Sequence, residues 1–185
     1  PRFTSSFAIV AASAVPPIIR IFNMTNVWLN IIGIGENGLI GLSKSSIECI
    51  KKAKIIFGSK RHLQLARIRE KGKEWPSPFS YEEVFKYKKK KVVILASGDP
   101  FWFGVGSKIV EHLTPDEWRC YPNYSTFSLA ASKLGWAIEE TECTAIHAKP
   151  VEALNSKIKN GKKAIILCKD FHQLVLVFEW LKRKK

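Results

Sequence analysis

The segment 92–106, VVILASGDPFWFGVG, restricts the fold more than any other part of the chain. A run of β-branched and aliphatic residues without polar alternation reads as a strand buried on both faces, as in a parallel sheet covered by helices on both sides. The strand runs directly into Gly98-Asp99-Pro100 and then Gly104-x-Gly106. Such a loop lies at the carboxyl edge of a central strand, where open α/β sheets place ligands and where glycine lets backbone amides approach them. Gly, Asp and Pro are also ordinary turn formers, so the loop alone does not decide between a ligand site and a connection.

Strands and helices alternate on either side of this segment. Residues 28–32 read as a strand entering the glycine loop 33–38, after which Ser43 caps a helix to about residue 53 with Ile47, Ile50 and Ala53 on one face. A second strand is expected at 54–57, followed by a basic helix over 60–70. Ser80-Tyr81-Glu82-Glu83 is a capping-box pattern that starts a short helix carrying Val84 and Phe85. Beyond the central strand the pattern predicts a helix to residue 113 and a strand over 118–121. A further helix starts at Ser125-Thr126, stops at Gly135, and has Phe127, Leu129, Ala130 and Leu134 on its apolar side. Strands at 144–147 and 164–168 flank a helix from Pro150 to Gly161, and an amphipathic helix covers 171–185. This alternation implies an α/β fold with largely parallel sheets.

Thirty Lys+Arg against 16 Asp+Glu leave a formal charge of +14, which points to an anionic partner: nucleic acid, anionic lipid, or a small molecule with several carboxylates or phosphates. The lysine runs at 88–91 and 182–185 lack interleaved aromatics and are explained as solvated surface, so no nucleic acid is expected. Cys49, Cys120, Cys143 and Cys168 form no CxxC pair and the four histidines are scattered, which argues against a metal site. The cysteines are expected to be reduced and buried, in a cytoplasmic protein. Residues 7–15 are apolar but too few to span a bilayer, and no membrane association is expected. Because the only methionine is Met24, residues 1–26 are read as an N-terminal extension.

The glycine loop Gly33-Ile34-Gly35-Glu36-Asn37-Gly38 matches GxGxxG after a strand, and Lys60-Arg61 would suit the 2′-phosphate of NADP in a Rossmann-type oxidoreductase. In that fold the helix starts inside the motif, whereas here residues 38–42 intervene before the Ser43 cap. A non-catalytic basic α/β remnant that binds polyanions is a third reading; it predicts affinity that falls steeply with salt.

Five motifs together carry a resemblance. IIGIGENGLIGLS, GSKRHLQL, VVILASGDPFWFGVG, YPNYSTFSLAASKLGW and IHAKPVEAL stand in the order and at about the spacing of the precorrin-6Y methylases, within the tetrapyrrole methylase superfamily, over residues 27–185. The resemblance implies an S-adenosylmethionine-dependent C-methyltransferase of cobalamin biosynthesis acting on C5 of a precorrin, an anionic tetrapyrrole. It implies two α/β domains, 27–121 and a partial 122–185, with the cofactor folded into the cleft between them, and a homodimer. By position in the motifs, Gly35 and Glu36 would lie near the cofactor, as would Gly98, Asp99 and Trp102 of the GDP loop and Ser125 and Thr126 at their helix start. His147, in the segment similar to the family's HGRP motif, would face the cleft. No catalytic base is assigned and no metal is required, because a sulfonium methyl is already electrophilic. Two departures stand out: Asn123-Tyr124 replaces a small proline-containing segment, so that Tyr124 is expected to crowd the cleft, and Ala148-Lys149 replaces Gly-Arg. The chain also stops where relatives continue through further strands of the second domain, so either a fragment or a degraded gene product is expected. The second catalytic domain of the fused forms, which methylates C15 and decarboxylates, is expected to be absent.

Overall fold

The computed structural model describes residues 26–147, 149–158 and 161–184. The extension proposed over residues 1–26 lies outside the described residues except for Asn26, as does Ala148.

Among the described residues seven strands and five α-helices follow one another, and every strand pair is parallel. The first sheet contains β1 (Leu29–Ile34), β2 (Ile55–Gly58), β3 (Gly72–Glu74), β4 (Val92–Ser97) and β5 (Trp118–Tyr121), in the spatial order β3-β2-β4-β1-β5. Strand β4 is central, and Val92 to Ala96 are all buried, as a strand covered on both faces must be.

Two cores lie on opposite faces of this sheet. On one, Ile32, Ile34, Ile56, Val93 and Leu95 pack with residues of α1 (Lys44–Lys52) and α2 (Lys60–Leu65). On the other, Leu29, Ile31, Phe57, Val92 and Ile94 pack with Val84 of a 3-10 helix (Glu82–Tyr87) and Ile109 of α3 (Val105–Val110). Alternation along each strand sends successive side chains to opposite cores. The chain therefore leaves β1 and β2 toward one face and β4 toward the other, and a crevice opens at the carboxyl end of β4 between its two neighbours. Such a switch point is where open α/β sheets hold ligands.

A second, two-stranded sheet pairs β6 (Glu142–Ala145) with β7 (Ala164–Leu167). On it rest α4 (Thr126–Leu134), through Phe127 and Ala131 against Ile165, and α5 (Phe171–Arg183), whose Val177 and Trp180 pack with Ile146, Val151 and Leu154. Helix starts are set by side-chain caps: Ser43 accepts from the Ser46 amide at 3.1 Å, Ser125 from Ser128 at 3.0 Å, and Asp170 from Gln173 at 2.9 Å. Gly135 ends α4 in the left-handed conformation at φ 63°.

Several expectations are corrected. The helix expected over 60–70 ends at Leu65, because Arg67 takes φ 53° and the chain turns into β3, an edge strand of three polar or small residues. The capping box does not form: Ser80 Oγ accepts from Glu82 at 3.2 Å and Glu83 pairs instead with Lys73. The segment expected as a helix from Pro150 to Gly161 contains a 3-10 helix, Val151–Ser156. On α4 the buried residues are Phe127 and Ala131, while Leu129 and Leu134 are exposed. Of α5, Phe171, Leu174 and Phe178 stay exposed as well. The four cysteines are free but only half-buried.

One polar cluster ties the start of β1 to the approach to β5. The Glu117 carboxylate accepts from Lys88 Nζ at 2.7 Å, Trp28 Nε1 at 3.1 Å, and the amide and hydroxyl of Thr114 at 2.9 and 3.0 Å. These donors, Lys88 foremost, hold its acid at about 2 against an ordinary 4.5. A depressed carboxylate stabilises the fold above its unfolded pKa and loses that contribution as pH falls toward the folded one. Glu117→Ala is expected to lower stability by about 2 kcal/mol at neutral pH, the scale of hydrogen bonds to a charged group. Denaturation followed across pH should show the difference between variant and parent shrinking from about 4.5 down to about 2; a difference that is constant with pH would contradict the assignment.

Candidate functional site

The loop after β4 is held in shape by its own polar groups. Gly98 takes φ 51°, and a Cβ there would stand 2.7 Å from the Tyr124 carbonyl oxygen. Asp99 Oδ1 accepts from the Phe101 amide at 2.8 Å, closing a tight turn. Gly104 and Gly106 fold back over Pro100, whose carbonyl oxygen accepts from the Gly106 amide at 2.9 Å. The loop after β5 lies against it, the Asn123 amide donating to the Gly98 carbonyl at 3.1 Å. Asn123 Nδ2 also reaches the Gly41 carbonyl at 3.3 Å, so this one residue, through its amide and its side chain, fastens the first glycine loop to the other two.

Two cavities flank the junction. The first, about 450 Å³, is walled by Asp99, Trp102, Ser125, Thr126, Phe127 and His147, with His62 and Ser97 on the sheet side. The second, about 670 Å³, lies toward Gly33, Ser43, Tyr121 and Asn123. Asp99, Trp102 and Ser125 border both.

An aromatic wall closes one side. Phe127 is buried, and the rings of Trp102 and Phe103 stand 4.8 and 5.8 Å from it. Phe127 itself belongs to the first turn of α4, whose Ser128 amide is taken by the Ser125 hydroxyl. The amides of Thr126 and Phe127 have no acceptor within the helix, as at any helix start. On the sheet side His62 Nε2 lies 2.8 Å from Ser97 Oγ. Burial, and next the charge of Arg61, lower the His62 pKa below its ordinary 6.5, and the Leu95 carbonyl opposes them. That carbonyl favours a proton on the ring without making a well-formed hydrogen bond to the buried Nδ1. Cys120, behind the second cavity, is pushed up to about 12 by burial and then by the charge of Asp99, so it is no nucleophile.

Of the residues singled out from sequence, Asp99, Trp102, Ser125, Thr126 and His147 come together at the first cavity, and Gly98 supplies the turn beneath them. Gly35 and Glu36 border neither cavity; Glu36 is ion-paired to Arg61, the neighbour of His62. Tyr124, expected to crowd the cleft, is 75% exposed and borders the second cavity. Sequence reasoning missed His62, Ser97, Asn123 and Gly33. His62 lies within GSKRHLQL, Gly33 within the glycine loop, Ser97 within VVILASGDPFWFGVG and Asn123 within YPNYSTFSLAASKLGW, so all four stood in motifs already marked.

The glycine loop does not build a dinucleotide site. Gly38 opens a 3-10 helix, Gly38–Gly41, and α1 begins only at Lys44, so no helix start faces a pyrophosphate. Arg61, offered for a 2′-phosphate, is engaged by Glu36.

The family model for tetrapyrrole (corrin/porphyrin) methylases matches residues 29–185. The chain belongs to that family. A precorrin-6Y C(5,15)-methyltransferase (decarboxylating) of a Sinorhizobium species is 37% identical over 147 residues, covering 77% of this chain and 36% of that protein. A cobalt-precorrin-7 C(5)-methyltransferase of Salmonella typhimurium is 27% identical, covering 66% of this chain and 63% of that protein. Among solved structures, a precorrin-6Y methylase of Archaeoglobus fulgidus aligns with a TM-score of 0.55 at 23% identity, over 75% of this chain and 71% of that one. A diphthine synthase aligns with a TM-score of 0.60 at 17% identity, over 78% and 64%. Both structural likenesses bear on the fold, which is the α/β tetrapyrrole methylase fold expected from sequence. The chain thus spans about a third of the length of its most identical named relative here. Among the described residues no helix is long and apolar enough to cross a membrane, and no cluster of His, Cys, Asp and Glu could hold a metal ion.

Proposed function

We propose that the chain is an S-adenosylmethionine-dependent C-methyltransferase that methylates C5 of a precorrin in cobalamin biosynthesis. One observation carries the reading: the loop of Gly98 and Asp99 and the start of α4 meet at one crevice, at the switch point of the sheet, in a chain 37% identical to a precorrin-6Y methyltransferase. The sulfonium methyl of the cofactor, when bound, supplies the electrophile.

The residues present fit that group. Asp99 has one carboxylate oxygen committed to its turn, which leaves the other for an ammonium or ribose hydroxyl. The open amides of Thr126 and Phe127 suit a carboxylate, and the Trp102–Phe103–Phe127 wall suits the flat faces of an adenine ring. Holding the acceptor carbon in line with the methyl contributes roughly 7–11 kcal/mol in well-oriented systems, so the chain's task is mainly placement and exclusion of water. The charge of +14 is a steering field for a substrate bearing several carboxylates.

The division into 27–121 and 122–185 belongs to the same proposal. It is supported by the separate two-stranded sheet and the separate cores around Leu154 and Phe127.

Calorimetric titration of S-adenosylhomocysteine into the full chain tests the reading. Saturable micromolar binding is expected. Asp99→Ala and Gly98→Val are each expected to weaken it about tenfold or more, the first by removing a charge-assisted contact and the second by driving a side chain into the Tyr124 carbonyl. Equal affinity in parent and both variants would show that the cofactor is held elsewhere. No binding by a folded parent would favour a non-catalytic remnant.

A further inference from the structure

The sheet-side wall of the first cavity holds a pair of side chains that the cofactor has no use for. His62 comes from the first turn of α2, just past β2, and Ser97 is the last residue of β4. They meet because β2 and β4 are adjacent, which places the two strand ends side by side. The separation of His62 Nε2 and Ser97 Oγ, 2.8 Å, is that of a good hydrogen bond, and both residues face the cavity that Asp99, Thr126 and His147 also border.

Methylation of a ring carbon leaves a proton to dispose of. The carbon's electron pair forms the new C–CH3 bond, the S–CH3 bond breaks with its pair returning to sulfur, and the methylated macrocycle sheds a proton from nitrogen or carbon to regain neutrality. A group beside the reacting ring can accept that proton directly.

We propose that Ser97 and His62 are a proton relay for this step, with Ser97 Oγ receiving the substrate's proton while passing its own to His62 Nε2. The products are the methylated tetrapyrrole, S-adenosylhomocysteine and an imidazolium at His62, which returns its proton to solvent after release. Ser97 is the group that touches substrate, and His62 is a positioning and accepting residue behind it.

The surroundings favour a neutral ring that can accept a proton. His62 Nδ1 is buried without a hydrogen-bond partner, so Nε2 is the ring nitrogen that meets the serine hydroxyl. A proton on Nδ1 leaves the lone pair of Nε2 toward the serine hydroxyl. The charged groups around the ring are Arg61 on its own helix, which favours neutrality, Glu36 paired to that arginine, and Asp99 and His147 across the cavity. An imidazole kept neutral down to a lower pH than usual is available as an acceptor throughout the neutral range. Trp75 and Phe103 border the same cavity as the pair.

The proposal rests on the methyltransferase reading, and its test separates the two. S-Adenosylhomocysteine binding is measured first on the parent, His62→Gln and Ser97→Ala; all three are expected to agree within about threefold, since neither side chain is assigned to the cofactor. Methyl transfer to the corresponding tetrapyrrole is then followed in single turnover across pH 5–9. Each variant is expected to lose about 10²-fold, the lower range for general acid–base catalysis, and His62→Gln to lose the acidic limb of the parent's profile. Rates near the parent's, or a reduced rate with the acidic limb intact, would overturn the relay. An imidazole tautomer measurement by nitrogen NMR stands apart from turnover: the proton is expected on Nδ1, and finding it on Nε2 would overturn the relay even if both variants were slow. If the parent fails to bind S-adenosylhomocysteine, the methyltransferase reading fails and the relay falls with it.

Discussion

Gly33→Ala is expected to destabilise the chain by about 3 kcal/mol or more and to abolish cofactor binding. A Cβ at Gly33 would stand 1.8 Å from the Gly98 carbonyl oxygen and 2.8 Å from the Asn123 amide nitrogen. Both obstacles are backbone, so no side-chain rotation relieves the clash. They are also partners, the Asn123 amide donating to the Gly98 carbonyl at 3.1 Å, and the Gly98 amide donates to Ile34 at 3.2 Å. The methyl group would therefore wedge apart the ends of β1 and β4 and the loop after β5, where both cavities meet. Overpacking in a tight interior costs about 1–3 kcal/mol where side chains can adjust, and more where they cannot. For a domain of this size the midpoint should fall by roughly 10 °C.

Gly35 is the control. It lies two residues along the same loop, has no heavy atom within 4 Å of a built Cβ, and does not take a positive φ. Gly35→Ala should melt within about 2 °C of the parent, because the only change is a small gain from restricting the unfolded chain. Differential scanning fluorimetry of both variants decides. Equal melting of Gly33→Ala and Gly35→Ala would mean that the three loops do not converge as described.

That contrast shows where sequence reading stops. The central strand was legible because burial on both faces removes polar alternation, and its β-branched residues and short length favour a strand over a buried helix. The caps at Ser43 and Ser125 were legible because capping acts over three residues. Strand β3 was not, since Gly72-Lys73-Glu74 has no strand preference and pairs only because β2 offers it an edge. The exposed apolar residues of α4 and α5 show the same gap from the other side: periodicity marks a face that can be buried, and only the packing decides which residues are.

The site divides along the same line. Asp99, Trp102, Ser125 and Thr126 stand in two contiguous motifs and could be marked from them. His62 and Ser97 are 35 residues apart and become neighbours only through the order β3-β2-β4, which no local pattern states. Asn123 was read as a departure from the family pattern, yet its side chain bridges to Gly41 and its amide to Gly98. Glu36 was placed beside the cofactor by motif position; its carboxylate pairs with Arg61 and lines neither cavity.

Phe127→Ala should have the second large effect, and it couples stability to binding. Phe127 is 1% exposed and shares a small core with Ala131 and Ile165, so few neighbours can close over the space it leaves. Large-to-small changes at buried phenylalanine cost about 3–5 kcal/mol. The same ring supports Trp102 and Phe103 and borders the first cavity. Its loss would free both aromatics of the GDP loop and open the apolar wall to water. S-Adenosylhomocysteine affinity is expected to fall by more than tenfold at a temperature where the variant is still folded, checked by circular dichroism. Phe127→Leu should recover most of the stability, because it refills much of the volume, but less of the affinity, because it offers no flat face to the indole of Trp102. If Phe127→Leu restored both equally, volume alone would account for the position and the aromatic wall would have no part in holding the ligand.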